Sequence, residues 1–154
     1  MTDEDRAYIK ERLSDVALFQ VFSSEELDQI LPYFELRPFA ESTTLFEQGD
    51  RGDSLLVVIE GTVDIRKESV SGKQTVMAKF GRGSIVGEMA IIDQFPRSAT
   101  ARVTANSKVL ILTREGFEVI LQEKPPLGIK FLREITRILA QRLRRASGRF
   151  SDIF

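Results

Sequence analysis

From residue 35 to residue 113 the apolar side chains recur at every second position, and this period constrains the fold more than any other feature. Alternation of this kind puts successive side chains on opposite faces of an extended strand. Residues 54–60 offer Leu55, Val57 and Ile59 to one face, and residues 62–67 alternate Val63 and Ile65 with Asp64 and Arg66. Residues 73–80 alternate again through Val76, Ala78 and Phe80, and the runs 100–104 and 109–112 follow. Gly49-Asp50, Gly52-Asp53, Gly61, Ser71-Gly72, Gly81, Gly83 and Asn106 fall between these runs as turn punctuation. Short strands at such intervals predict an antiparallel β jelly roll, a double-stranded β-helix.

Helical spacing flanks this region on both sides, so the fold class expected is mostly β with flanking helices. Residues 3–19 carry Ala7, Ile9, Leu13, Val16 and Ala17 with acids at the start, which predicts an amphipathic helix matched to its macrodipole. Ser23-Ser24 ahead of Glu25-Glu26 predicts the N-cap of a short second helix reaching Leu31, with Pro32 ending it. Helical spacing resumes at Arg114 through Phe117, Ile120 and Leu121, and Lys124-Pro125 stops it. Pro126 suits the first turn of a long helix carrying Phe131, Leu132, Ile135, Ile138, Leu139 and Leu143, with Gly148 as terminator. A length of 154 residues predicts one domain. It divides into a helical leader over 1–34, a β roll over 35–113 and C-terminal helices over 114–147.

Composition removes several function classes. The chain has no cysteine, which excludes thiol nucleophiles, disulfides and thiolate metal sites and suits a reducing cytosol. It has no histidine, so neither a Ser-His-Asp arrangement nor the histidine-rich metal site of a cupin-type jelly-roll enzyme can be built. No catalytic residue and no metal ligand set is therefore expected, and no cofactor. The charged start MTDEDRAYIKERL is not a secretory signal, and no apolar run approaches the roughly 18–20 residues that span a bilayer. These features imply a cytoplasmic protein without a membrane partner. Net charge is −1, which gives the whole molecule no bias toward nucleic acid. GRGSIVGE fits neither of the glycine-rich phosphate-loop patterns, and Arg51-Gly52-Asp53 reads as a turn.

The strand pattern breaks at residues 84–99. Gly87-Glu88 follows a short apolar strand, Met89–Ile92 has the length of one helical turn, Pro96 fixes the return, and Arg97 begins the next strand. Backbone N–H groups at such a turn favour an anion, and Gly87 lets that backbone approach a ligand. A guanidinium matches phosphate in a two-pronged fashion, whereas a carboxylate accepts hydrogen bonds from a sugar hydroxyl. Arg97 and Glu88 together therefore suit a phosphate held rigidly beside a hydroxyl, as in a cyclic nucleotide. The competing reading is a Glu88–Arg97 ion pair that trims a loop, a contact worth about 0–1 kcal/mol at a surface.

GEMAIIDQFPRSATA resembles the phosphate-binding cassette of the cyclic nucleotide-binding domain family, and FEQGDRGDSLLVVIEGTVDI resembles that family's glycine-marked strands. The spacing from Glu88 to Arg97 is similar to that of the cAMP-dependent kinase regulatory subunits. The resemblance implies that Arg97 holds the cyclic phosphate and Glu88 the ribose 2′-hydroxyl, with backbone contacts from Gly87, Met89 and Ala90. Ser98 stands at a small-residue position where a threonine is associated with cGMP, so it leans toward cAMP. Val86 replaces the family's usual phenylalanine beneath the cassette, and Val86 and Val76 are counted among the expected ligand-binding residues. In the catabolite-activator branch a Thr-Ser pair on the long helix covers the base. Ala140–Ser147 resembles that stretch and sets Ala146 and Ser147 at those positions, with Arg145 or Phe150 available to stack on the purine.

The function implied is a receptor for a cyclic nucleotide, cAMP or else cGMP, with the C-terminal helix closing as a lid and no catalysis. That helix carries a basic face, Lys130, Arg133, Arg137, Arg142, Arg144, Arg145 and Arg149, read as solvated. Its apolar stripe, near a and d spacing, gives the expectation of a homodimer, and an effector protein of unknown kind is implied. The alternative is a cAMP-responsive transcription regulator of the catabolite-activator type whose DNA-binding part lies outside this stretch. If the chain is complete, too few residues follow the long helix for a helix-turn-helix, and no direct DNA binding is expected.

Overall fold

A computed structural model of the chain describes residues 1–148. In chain order the elements are α1 (Asp3–Leu13), α2 (Ser24–Ile30), β1 (Glu35–Phe39), β2 (Thr44–Phe46), β3 (Ser54–Glu60), β4 (Val63–Glu68), β5 (Gln74–Phe80), β6 (Ile85–Val86), α3 (Ala90–Asp93), β7 (Thr100–Val103), β8 (Ser107–Thr113), α4 (Arg114–Glu123) and α5 (Pro125–Gly148). Two four-stranded antiparallel sheets face each other, in the orders β1-β8-β3-β6 and β2-β7-β4-β5. This is the jelly roll that the period-two pattern predicts. Register pairs apolar positions across neighbours, Leu56 with Ile111 and Val86, and Ile65 with Ala78 and Ala101. The inner faces close over Leu56, Val58, Val63, Val86, Ala101, Val103 and Val109.

The expected helix over 3–19 is two pieces. α1 ends at Leu13, Val16 is extended, and Ala17–Phe19 form one 3-10 turn. The burial pattern supplies the reason. At about 100° per residue, Leu18 would lie on the opposite side of an unbroken helix from Ile9. The break turns Leu18 inward, so that Ile9, Leu13, Val16, Leu18 and Phe19 are all buried in one core. α2 starts as expected, with a reciprocal capping box between Ser23 and Glu26. α5 begins one residue earlier than expected, at Pro125, with Lys124 in a non-helical conformation between α4 and α5. Arg97 lies ahead of β7 rather than inside it.

The root of α5 is fixed by aromatic packing. The Phe131 ring centroid lies 5.5 Å from that of Phe117, 6.0 Å from Phe19, 6.2 Å from Phe34 and 6.3 Å from Phe22. Leu127, Phe131, Glu134 and Ile135 are buried, but from Gln141 to Gly148 only Ser147 is half-buried and the rest are exposed. α5 is therefore packed on the core as far as Leu139 and exposed over its outer part. Among the described residues no helix is long and apolar enough to cross a membrane.

Candidate functional site

The loop between β6 and β7 stands on Ile91, which is buried in the same core as α1 and α4, and on Ala90 beside it. Their neighbours Met89, Ile92 and Phe95 are exposed. One wall of the loop is a second turn, residues 49–53, hydrogen-bonded to it along the chain. Gly49 N–H donates to the Arg97 carbonyl at 2.8 Å, Arg97 N–H to the Asp50 carbonyl at 2.6 Å, and Gly52 N–H to the Phe95 carbonyl at 3.1 Å. A Cβ on Gly52 would stand 2.7 Å from that same Phe95 oxygen, so the approach requires glycine.

Arg97 is turned inward, with 8% of its surface exposed. Its Nη2 donates to the Ser54 carbonyl at 2.8 Å and lies 3.3 Å from the Ser54 hydroxyl, and its Cζ sits 4.1 Å above the Phe46 ring centroid. Nε is buried and has no hydrogen-bond partner. Gly87 packs against Nη1: its φ of +77° is a left-handed conformation, and a Cβ there would run into that nitrogen. Burial lowers the pKa of Arg97 from the ordinary guanidinium value, and the nearby charges of Asp53 and Asp50 push it back up. Among the described residues Arg97 forms no ion pair. A buried cation with an unused donor is ready for an anion with an open oxygen.

Glu88 is 5% exposed, and its partner is Arg142, on the outer part of α5. The loop-trimming Glu88–Arg97 ion pair is therefore absent among the described residues, and the acid is joined to the C-terminal helix instead. Burial lowers the Arg142 pKa, with the like charge of Arg145 adding to the effect. Arg142 is one residue of the candidate site that the sequence alone does not mark. It lies in the stretch 140–147 compared with the base-covering helix, but a cation on a basic helix reads as solvated until it is seen paired with Glu88. Ser54 and Phe46 were missed too, because nothing in their strands marks them as lying beneath a guanidinium.

The remaining expected residues are spread more widely. Val86 is buried with Leu56 and Val109 in the core of the roll, beneath the cassette. Val76, on the edge strand β5, is 42% exposed: a bulge at Met77 pairs it with Arg66 while Ala78 pairs with Ile65, so Val76 lies on the strand face opposite Ala78 and Phe80. Ser98 is exposed one residue past Arg97, Arg145 is exposed on α5, and Ser147 is half-buried near its end. Phe150 and Arg149 lie outside the described residues. A separate cavity of about 480 Å³ meets Arg97, Ser54 and Phe46 from the side of β1 and β8, and touches neither Gly87 nor Glu88.

A jelly roll broken by a glycine-acid turn, with a buried arginine returning beneath it, is the architecture of a β-roll binding domain. The sequence profile of the cyclic nucleotide-binding domain family matches residues 36–124, and the chain belongs to that family. It is 32% identical over 129 residues to the cyclic AMP receptor protein of Thermus thermophilus, covering 84% of this chain and 58% of that protein. It is 32% identical over 111 residues to the cAMP-dependent protein kinase regulatory subunit of Mycosarcoma maydis, covering 70% of this chain and 21% of the relative. Among solved structures, a cyclic nucleotide-binding domain from Methylobacillus flagellatus KT superposes with a TM-score of 0.81 at 30% identity. That match covers 99% of this chain and 85% of the other. The chain spans less than two thirds of the length of the curated relatives, which are thus larger proteins containing this domain.

Proposed function

We propose that this chain is a cyclic nucleotide receptor, selective for cAMP, without catalysis of its own, working in the cytoplasm. Arg97 takes the cyclic phosphate, Glu88 accepts from the ribose 2′-hydroxyl, and the backbone of Gly87, Met89 and Ala90 lines the turn. The observation that carries the reading is Arg97 itself, a buried guanidinium with no ion pair among the described residues and an unpartnered Nε beside a left-handed glycine. The Thermus and Mycosarcoma relatives, a cyclic AMP receptor protein and a cAMP-dependent protein kinase regulatory subunit, support cAMP as the ligand, and the small side chain of Ser98 suits it. Val86 supports the cassette from the roll, and Arg145 and Ser147 meet the base from α5. Glu88 is the link to movement: a ligand drawing on its carboxylate changes what Arg142 is attached to, and α5 shifts between two positions.

Titration calorimetry and thermal melts with cAMP and cGMP test this. A ligand at a hundred times its dissociation constant adds about 2.7 kcal/mol of stability, a shift of several degrees. The absence of both heat and a shift with either nucleotide would remove the assignment. The exposed apolar side chains Ile129, Leu132 and Leu143 on α5 support a homodimer through that helix, which light scattering reads directly. A second reading is a cAMP-responsive transcription regulator whose DNA-binding part lies outside this stretch. It is favoured by coverage of 58% of the Thermus receptor, and the complete reading frame decides it.

A further inference from the structure

The cassette's return contains a residue in an unfavourable conformation. Gln94 closes α3 with φ +55° and ψ +25°, the left-handed region that glycine and asparagine adopt more readily than glutamine. Its N–H still donates to the Ala90 carbonyl at 3.3 Å, and the chain then turns through Phe95 and Pro96 to Arg97. This corner is the last turn of the chain before Arg97. One side chain outside the cassette reaches it: Arg51, whose Nη2 donates to Gln94 Oε1 and whose backbone bridges Pro96. The neighbours of Arg51 in sequence hold the following residues by backbone, Gly52 to Phe95 and Asp50 to Arg97. The clamp thus has backbone bonds along the return and one side-chain bond, placed on the residue whose conformation most needs support.

We infer that Arg51 is a positioning residue for the nucleotide site: its bond to Gln94 holds the left-handed corner that sets the position of Arg97. The consequence for affinity rests on the cassette being the nucleotide site. The consequence for cassette order does not. Gln94→Gly supplies a residue that adopts the corner without help, and it removes the acceptor of Arg51 at the same time. A positioning Arg51 is therefore needed when residue 94 is glutamine and superfluous when it is glycine.

The test is a double-mutant cycle on the full chain with Arg51→Ala, Gln94→Gly and both together, read two ways. Calorimetry with cAMP should show Arg51→Ala weakening binding about three- to tenfold in the parent chain and leaving it unchanged when Gln94→Gly is already present. Amide hydrogen exchange without nucleotide should show residues 88–96 exchanging faster in Arg51→Ala, and no further acceleration when Arg51→Ala is added to Gln94→Gly. An equal loss in both backgrounds overturns the inference, since Arg51 would then act through its charge or elsewhere. So does no effect of Arg51→Ala on exchange in the parent chain. If the unmutated chain binds neither cAMP nor cGMP while the exchange pattern holds, the nucleotide reading fails and the positioning role stands.

Discussion

Arg97 acts through what it lacks as much as through what it touches. The Phe46 ring and the Ser54 oxygens accommodate a guanidinium in an 8% exposed position without neutralising it. Arg97→Ala removes the charge and leaves Gly87, whose conformation is set by backbone, in place. Nucleotide affinity should fall by more than tenfold, since a charged hydrogen-bond donor contributes about 1.5–3 kcal/mol. The melting temperature without nucleotide should move little, because a buried cation with an unused donor adds little to folding. Calorimetry beside a ligand-free melt separates the two, and an affinity within twofold of the parent would contradict the role given to Arg97. Arg97 and Glu88 were legible in the sequence because a glycine-acid pair and a proline-arginine pair bracket a break in alternation. Arg142 was not, because its role depends on its pairing with Glu88, and one basic residue in a basic helix carries no local sign of that.

Glu26 joins two helices with one carboxylate. It caps α2 by accepting from Ser23 N–H at 2.9 Å, and it accepts from Lys130 Nζ on α5 at 2.9 Å through both oxygens. The capping bond, first, and the lysine hydrogen bond, second, hold its pKa below the ordinary glutamate value. A group with a depressed folded pKa adds stability that is present above its unfolded value, about 4.3, and lost as pH falls through the lowered folded value. Glu26→Gln should therefore melt lower than the parent at neutral pH and lose less on acidification below about pH 4.3. Parallel acid limbs in the two proteins would count against it. At this scale the sequence was read well where alternation met glycine, in β3, β4, β5, β7 and β8. β1 and β2 carried too little pattern to stand out: β1 contains Pro38 and lies on a sheet edge, and β2 has three residues. The over-long first helix failed for a different reason, since Leu18 is apolar in a helical window but must face inward from the wrong side.

Across the whole molecule, α5 has one attachment made of rings and another made of charge. Phe131 lies among four other phenylalanines, whereas the exposed part beyond Gln141 is joined to the roll by Arg142 and Glu88. The aromatic attachment offers a ligand no charge and no hydrogen-bonding group. The ionic one ends on the carboxylate assigned to a ribose hydroxyl, so a ligand and the helix share one acceptor. Two groups sharing an acceptor are thermodynamically coupled, and the coupling has the same size viewed from either side. Arg142→Ala cuts the link while leaving Arg97, Gly87 and the aromatic root as they were. In the parent, adding cAMP should change amide hydrogen exchange in residues 141–148 as well as in the cassette. In Arg142→Ala those helix residues should exchange fast with or without nucleotide, and cassette protection should still appear on binding, at an affinity reduced less than by Arg97→Ala. A nucleotide-dependent change over 141–148 that survives Arg142→Ala undiminished would mean that the signal reaches α5 through the core around Phe131, and the ionic route would have to be given up.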